Sequence, residues 1–184
     1  AAQVDEEEKF PAENVRKMAE LGLMGVSIAE EYGGSGGDSM HLVIATEEIA
    51  RACASTSTIF LASLSLACYP IYLFGTEEQK RRFVVPVAKG QKLACFALTE
   101  PGAGSDAAAI QTTATLRGDH YVLDGTKTFI TNATIADVAL VFAYNYKEKG
   151  PGSGVTCFLV DKGTKGFSVS KPFDKMGFRG SPTA

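Results

Sequence analysis

Through the first ninety residues apolar positions recur at helical spacing. Val15, Met18 and Leu21 share one face of a segment entered at Pro11, with Glu13 and Lys17 four residues apart on its wet side. Gly22 and Gly25 end that pattern. A second helix should begin near Asp38 or Ser39 and turn Leu42, Ala45, Ile49 and Ala52 inward. The most apolar stretch, Ile59 to Phe74, contains Ser63, Ser65 and Pro70 and is shorter than the about 20 apolar residues of a membrane span. It reads as a buried core helix ending at Gly75. Thr76-Glu77-Glu78-Gln79 has the form of a capping box and announces another helix towards Pro86.

After Leu93 the period changes to two. Leu93 to Leu98 reads as an apolar strand. Gly118-Asp119 and Asp124-Gly125 are hairpin-type turns separating Thr112 to Arg117, His120 to Leu123 and Thr126 to Thr131. Val138 to Tyr144, Val155 to Asp161 and Phe167 to Lys171 continue as strands, with Gly150 to Gly154 a surface loop between two of them. The fold class is α+β. An α-helical domain over residues 1–91 precedes an antiparallel sheet or barrel over 92–184.

Composition sharpens this picture. The 184 residues are 45% hydrophobic and 21% charged, with mean hydropathy +0.04, as suits a chain that can bury a core. Residues 1–91 hold 8 basic and 13 acidic side chains and residues 92–184 hold 10 and 8, so the charge balance shifts where the periodicity does. A net charge of −3 and a pI near 5.5 argue against a nucleic-acid surface. Cys53, Cys68, Cys95 and Cys157 are scattered among apolar residues without a paired motif, so they read as buried thiols in a reducing compartment. Two histidines, His41 and His120, rule out a His-rich metal site. No basic and apolar leader opens the chain, and it stops at Pro182-Thr183-Ala184 without a closing element, so it reads as a piece of a longer protein.

Two glycine-rich segments invite a phosphate-binding reading. Gly33-Gly34-Ser35-Gly36-Gly37 lacks the Lys-Ser/Thr pair of a Walker loop, and Asp38 would repel phosphate, so a tight turn is favoured. Gly102-x-Gly104-x-x-Ala107 fits the dinucleotide fingerprint and follows an apolar strand, but barely one helical turn fits before Thr112. The Rossmann reading fails on context. What is left is a loop rich in backbone N–H groups, with hydroxyls at Thr99 and Ser105, able to hold an anionic or carbonyl-rich ligand.

Four ordered segments carry a more specific signal. Cys95-Phe96-Ala97-Leu98-Thr99-Glu100-Pro101-Gly102-Ala103-Gly104-Ser105-Asp106 resembles the signature of the acyl-CoA dehydrogenase family. Glu31-Tyr32-Gly33-Gly34 lies upstream. Gly125-x-Lys127 with Phe129-Ile130-Thr131-Asn132, and then Lys175-Met176-Gly177-Phe178-Arg179, lie downstream at family-like spacing. The family architecture, a helical N-terminal domain and a middle β-barrel, agrees with the periodicity.

The resemblance implies an FAD enzyme of fatty-acid β-oxidation, a homotetrameric flavoprotein oxidoreductase that converts acyl-CoA thioesters to 2-enoyl-CoA. A glutamate removes the α-proton, the β-hydrogen leaves as hydride to flavin N5, and an electron-transferring flavoprotein takes the electrons. It implies residence in the cytoplasm of a bacterium or archaeon, or in the mitochondrial matrix of a eukaryote. Carried over by position, Phe96, Ala97, Leu98, Thr99, Gly104 and Ser105 would line the isoalloxazine and pyrophosphate. Thr99 would bond the pyrimidine side, and Ser105 would touch both the pyrophosphate and the CoA arm. Phe129, Ile130 and Thr131 would cover the flavin face away from substrate, with the Thr131 hydroxyl at N5. Many relatives have tryptophan where Phe129 stands; a phenyl ring still stacks. Thr58, Ala62 and Leu66, four residues apart, would form the floor under a short or branched acyl chain.

Other polar residues take plainer readings. Glu100 is not the family's base, Asp106 caps a turn, and Glu6-Glu7-Glu8 is a solvated face near a helix start. His41 and His120 lack a carboxylate or nucleophile neighbour that would suggest catalysis. By the resemblance, the catalytic glutamate belongs to a C-terminal helical domain and no catalytic residue lies in this chain; the first helix of the N-terminal domain also falls outside it. Two alternatives stand beside the dehydrogenase reading. One is a flavin oxidase or monooxygenase on the same scaffold; the other is a binding module that has lost the flavin, against which Thr99, Ser105 and Thr131 together argue.

Overall fold

A computed structural model describes residues 1–145 and 154–184. Chain order is helical and then stranded, the α+β class read from the sequence. Helix α1 (Ala2–Glu6) is followed by α2 (Ala12–Glu20), which buries Val15 and Met18 and carries the Glu13–Lys17 ion pair at 3.0 Å. Leu21 falls past the end of α2 and is exposed, because Gly22 takes a left-handed backbone there. Glu6, Glu7 and Glu8 are solvated, as expected, but they close α1 rather than open a helix, and Glu8 pairs with Arg179.

The 33–37 glycine run is a turn. Main-chain N–H groups of Ser35, Gly36 and Gly37 donate to the carbonyls of Gly25, Ile28 and Val26. A Cβ on Gly34 would stand 2.0 Å from the Ile28 oxygen, so packing demands glycine there. Helix α3 (Ser39–Ala52) starts where the sequence placed it. Asp38 accepts from the N–H groups of Met40 and His41, and the His41 ring closes the box. Leu42, Ala45 and Ile49 pack on the core, whereas Ala52 is exposed at the helix end.

The long helix Ala54–Phe74 begins earlier than apolarity alone suggested. Its opening Ser/Thr turn stays helical because hydroxyls find backbone partners, Thr58 donating to the Ala54 carbonyl at 2.9 Å and Ser57 to that of Thr46 at 3.0 Å. At 21 residues it is long and apolar enough to cross a membrane by length and composition, a correction to the shorter estimate. Ile59, Phe60, Leu64, Ala67 and Cys68 lie in the main core, packed with Met24, Ile28, Val84 and Val87. Residues Ala62–Cys68 form a widened, π-type turn within it. Thr76 and Gln79 make the reciprocal capping box, and a helical run continues from Glu77 through Pro86 to Ala88.

Five strands follow: β1 (Ala94–Ala97), β2 (Thr113–Arg117), β3 (His120–Asp124), β4 (Val138–Asn145) and β5 (Gly154–Asp161). Antiparallel pairing holds for β2–β3 and β4–β5, but β1 and β2 both run parallel to β4, one at each end of its edge. The sheet is therefore mixed, and the pairings of the described residues leave it open. Two expected strands are absent. Thr126 to Thr131 makes only a bridge from Thr131 to Thr183, because Phe129 sits at φ 58° and breaks the extended run. Phe167 to Lys171 follows turns at 162–166 and has no ladder. The loop expected at Gly150 to Gly154 lies outside the described residues except for Gly154.

Cys53, Cys68 and Cys95 are buried as expected; Cys157, on β5, is exposed. Burial pushes the Cys68 and Cys95 thiols up to about 12, so both act as small apolar side chains. A smaller second core joins Cys95, Ala97, Ile130, Ala136, Ala139 and Val141.

Candidate functional site

The glycine loop after β1 is stapled down by a buried ion pair. Glu100 is 7% exposed, and its Oε1 lies 2.7 Å from Lys127 Nζ; its side chain also accepts from the N–H groups of Gln111 at 2.6 Å and Thr112 at 2.9 Å and from the Thr112 hydroxyl. Lys127 donates in addition to the Leu98 carbonyl at 3.0 Å. Burial alone would push the Glu100 carboxyl up, but the Lys127 ammonium and these donors overcome it and hold it down at about 2. A carboxylate so fully satisfied is a poor proton acceptor near neutrality, which agrees with setting Glu100 aside as a base. Gly125 makes the pair possible: a Cβ there would stand 2.3 Å from the Thr112 hydroxyl, blocking the approach of the Lys127 segment.

The loop itself is open. Gly104 and Ser105 are exposed, and a Cβ on Gly102 or Gly104 would meet nothing within 4 Å, so nothing in the fold demands glycine there. Only a single 3₁₀ turn, Ala107–Ala109, follows, which excludes the dinucleotide-fold reading. Asp106 precedes this turn but makes no side-chain cap, contrary to expectation; its main-chain carbonyl accepts from Ala109 instead.

The second candidate segment alternates outward and inward. Phe129 is 67% exposed and its ring meets Phe173 at 5.3 Å; Thr131 is half-buried. Ile130 points into the second core and its main chain pairs with Ala184, while Asn132 is fully buried. The Thr128 N–H donates to the Thr99 carbonyl at 2.9 Å, so this segment and the glycine loop are neighbours. Phe96 packs on Phe142 at 4.9 Å and Ala97 lies in the second core, so their side chains serve packing, and Leu98 offers Lys127 its carbonyl.

Thr58, Ala62 and Leu66 come together as the sequence suggested. They line a shallow cleft of about 290 Å³ with Ala50, Ala54 and Thr131. The stripe extends backwards at the same four-residue spacing to Ala54, a continuation the periodicity could have supplied, whereas Ala50 comes from the end of α3, beyond the extended Cys53. Phe178 also lines the cleft; its left-handed backbone (φ 53°) turns it in, and no local pattern announces that. No carboxylate lines the cleft among the described residues. Ser105 is not brought to this cleft. The hydroxyls of Thr99, Ser105 and Thr131 have no protein hydrogen-bond partner among the described residues.

The histidines do have acidic neighbours, contrary to expectation. His41 Nδ1 lies 2.7 Å from Asp38 and His120 Nδ1 lies 3.0 Å from Asp119, both pairs exposed, in a helix cap and a hairpin turn. Neither borders the cleft, and no metal-binding cluster of His, Cys, Asp or Glu occurs among the described residues.

Residues 1–91 match the family model for the acyl-CoA dehydrogenase N-terminal domain, and residues 95–184 match that for the middle domain. The chain is 48% identical over 183 residues to the short-chain specific acyl-CoA dehydrogenase of Clostridium acetobutylicum, covering all of this chain and 48% of that protein. It is 50% identical over 184 residues to the human mitochondrial short-chain specific acyl-CoA dehydrogenase, covering all of this chain and 44% of that protein. The solved structure of butyryl-CoA dehydrogenase from Megasphaera elsdenii superposes with a TM-score of 0.92 at 41% identity, covering all of this chain and 49% of that one. The chain spans about half the length of the curated relatives it matches.

Proposed function

The chain belongs to the acyl-CoA dehydrogenase family, and from that premise we propose that it serves the FAD-dependent oxidation of a short-chain acyl-CoA to the 2-enoyl-CoA, with an electron-transferring flavoprotein as acceptor. The observation that carries this reading is the shared cleft: Thr131 stands on one wall, and the Thr58–Ala62–Leu66 stripe forms the other. The curated relatives named above are short-chain enzymes, and a floor of Ala54, Thr58 and Ala62 suits a short acyl group.

The residues present fit FAD. Hydroxyls at Thr99, Ser105 and Thr131 lack protein partners among the described residues, the glycine loop leaves open space where a Cβ would be harmless to the fold, and the Phe129 ring stays largely exposed beside Phe173. That donor set suits a flavin ring and a pyrophosphate. Bound FAD would supply the hydride-accepting chemistry.

The chain's own residues position and exclude. Thr131 would offer its hydroxyl to the flavin's edge, and Thr99 its hydroxyl to the pyrimidine side. Ser105 would bond the pyrophosphate and the CoA arm. Leu66, Ala62 and Leu61 would hold the acyl chain dry. Glu100 and Lys127 keep the two flavin-facing segments in register. Removal of the α-proton falls to a glutamate outside the described cleft, since Glu100 is locked in its ion pair. Tetramer formation is part of the same proposal, as is residence in a bacterial or archaeal cytoplasm or a mitochondrial matrix.

The test is anaerobic titration of the purified protein with butyryl-CoA. A yellow protein whose visible flavin band bleaches supports the reading. A colourless protein, or one whose flavin no acyl-CoA reduces, overturns it.

A further inference from the structure

Asn132 lies beside Thr131 and is fully buried, with a left-handed backbone (φ 68°) that asparagine tolerates better than most residues. Its amide nitrogen donates to the Ile59 carbonyl at 3.0 Å and to the Ala94 carbonyl at 3.4 Å. Two carbonyl partners fix which way the amide faces, because only the NH₂ end can donate. Its Oδ1 is then left buried without a hydrogen-bond partner among the described residues. A side chain that merely filled this space would do better as an apolar group, since a buried unpaired acceptor is costly. The two donors are therefore the reason for an amide here.

Those donors reach a particular place. Ile59 follows Thr58 and precedes the widened turn at Ala62–Cys68, which itself is tied to β1 by the Ala94 N–H donating to the Ser63 hydroxyl at 3.0 Å. π-type turns often mark functional positions. Asn132 thus bolts the wall that carries Thr131 to the helix that carries Thr58 and Ala62, at the level of the cleft between them.

We propose that Asn132 is a positioning residue that sets the distance across the cleft between Thr131 and the Thr58–Ala62 stripe, and thereby the acyl length the cleft accepts. This rests on the acyl-CoA reading above.

The test compares the FAD-loaded protein with Asn132→Gly, which keeps the left-handed backbone and removes the amide. The flavin band without substrate is recorded, and kcat/KM is measured for butyryl- and hexanoyl-CoA. The hexanoyl-to-butyryl ratio should change by about tenfold or more, as befits a pocket altered by roughly one methylene, and the flavin band should be displaced. Ser63→Ala, which loosens the same helix from β1 without touching the Thr131 wall, should lower Tm and leave both readouts in place. A lower Tm for Asn132→Gly with ratio and band unmoved would mean a purely structural role. An equal change in Ser63→Ala would likewise overturn the proposal. Should Asn132→Gly not fold, Asn132→Asp keeps the shape and backbone while replacing the donors, and is read in the same way. If the wild type holds FAD that no acyl-CoA reduces, the substrate reading fails separately; the band in Asn132→Gly, displaced or not, then decides the positioning role alone.

Discussion

The two walls of the cleft are held by different physics. On the helix side, Ala54, Thr58, Ala62 and Leu66 lie on one face because an α-helix brings every fourth residue back to it, the wide turn at Ala62–Cys68 perturbs this spacing only at the far end, and Ala50 joins them from the end of α3. On the opposite side, residues 129–132 follow no regular period. Phe129 and Asn132 take left-handed backbones, Ile130 pairs with Ala184, and the Asn132 N–H donates to the Pro182 carbonyl at 2.8 Å. One wall is local in sequence, and the other depends on partners far away in both directions, Ile59 and Ala94 upstream and Pro182 and Ala184 downstream. Substitutions on the helix should change the shape of the cleft; those on the loop, or on what holds it, should change where that wall stands.

The largest effect should come from cutting the ties of the loop wall. Glu100→Gln leaves the Lys127 ammonium buried opposite a neutral amide, and removing one partner of a buried pair typically costs about 3–5 kcal/mol. Denaturant melts should show that loss; a variant as stable as wild type would mean that the pair does not hold the loop. The same carboxyl predicts an acid dependence. Its folded value, about 2, lies below the ordinary 4.5, so its stabilisation is complete above 4.5 and is lost as pH falls towards 2. Wild-type stability should therefore drop through that window, and Glu100→Gln should lack this component of the slope.

A smaller, selective effect belongs to the helix wall. Ala62→Phe should preserve flavin binding and cut activity on longer acyl-CoAs first, by roughly tenfold relative to butyryl-CoA. An unaltered chain-length profile would remove the stripe from the acyl pocket. The smallest effect is expected for Thr131→Val. Losing one neutral hydrogen bond is worth about 1 kcal/mol, so FAD should be held about fivefold more weakly with folding retained. Equilibrium dialysis of FAD measures this directly, and unchanged affinity would place the Thr131 hydroxyl away from the cofactor.

The contrast between the walls also explains what the sequence could reveal. The helix start near Asp38, the capping box at Thr76 and the core helix rest on interactions within four residues, and local pattern and motif found them; the resemblance singled out the Thr58–Ala62–Leu66 stripe, whose four-residue spacing puts it on one face. Thr126 to Thr131 alternates like a strand, yet the positive φ at Phe129 and the bonds to Pro182 and Ala184 make it an irregular wall. The parallel pairing of β1 and β2 with β4 joins segments too far apart for local turn signals to orient. Lys127 was visible as part of a motif, but its partner Glu100 lies 27 residues upstream, and only folding reveals that the pair is buried. The resemblance supplied the functional reading of Thr99, Ser105 and Thr131; composition alone left the glycine loop as little more than a turn.

Flavin and acyl chain are proposed to meet in the cleft between these walls. A crystal structure of the protein with FAD and a non-reducible butyryl-CoA analogue tests this most directly. The flavin should lie against Phe129 and Thr131, with the acyl group along Thr58 and Ala62. An acyl group seated elsewhere, with Thr58, Ala62 and Thr131 free of both ligands, would contradict that placement.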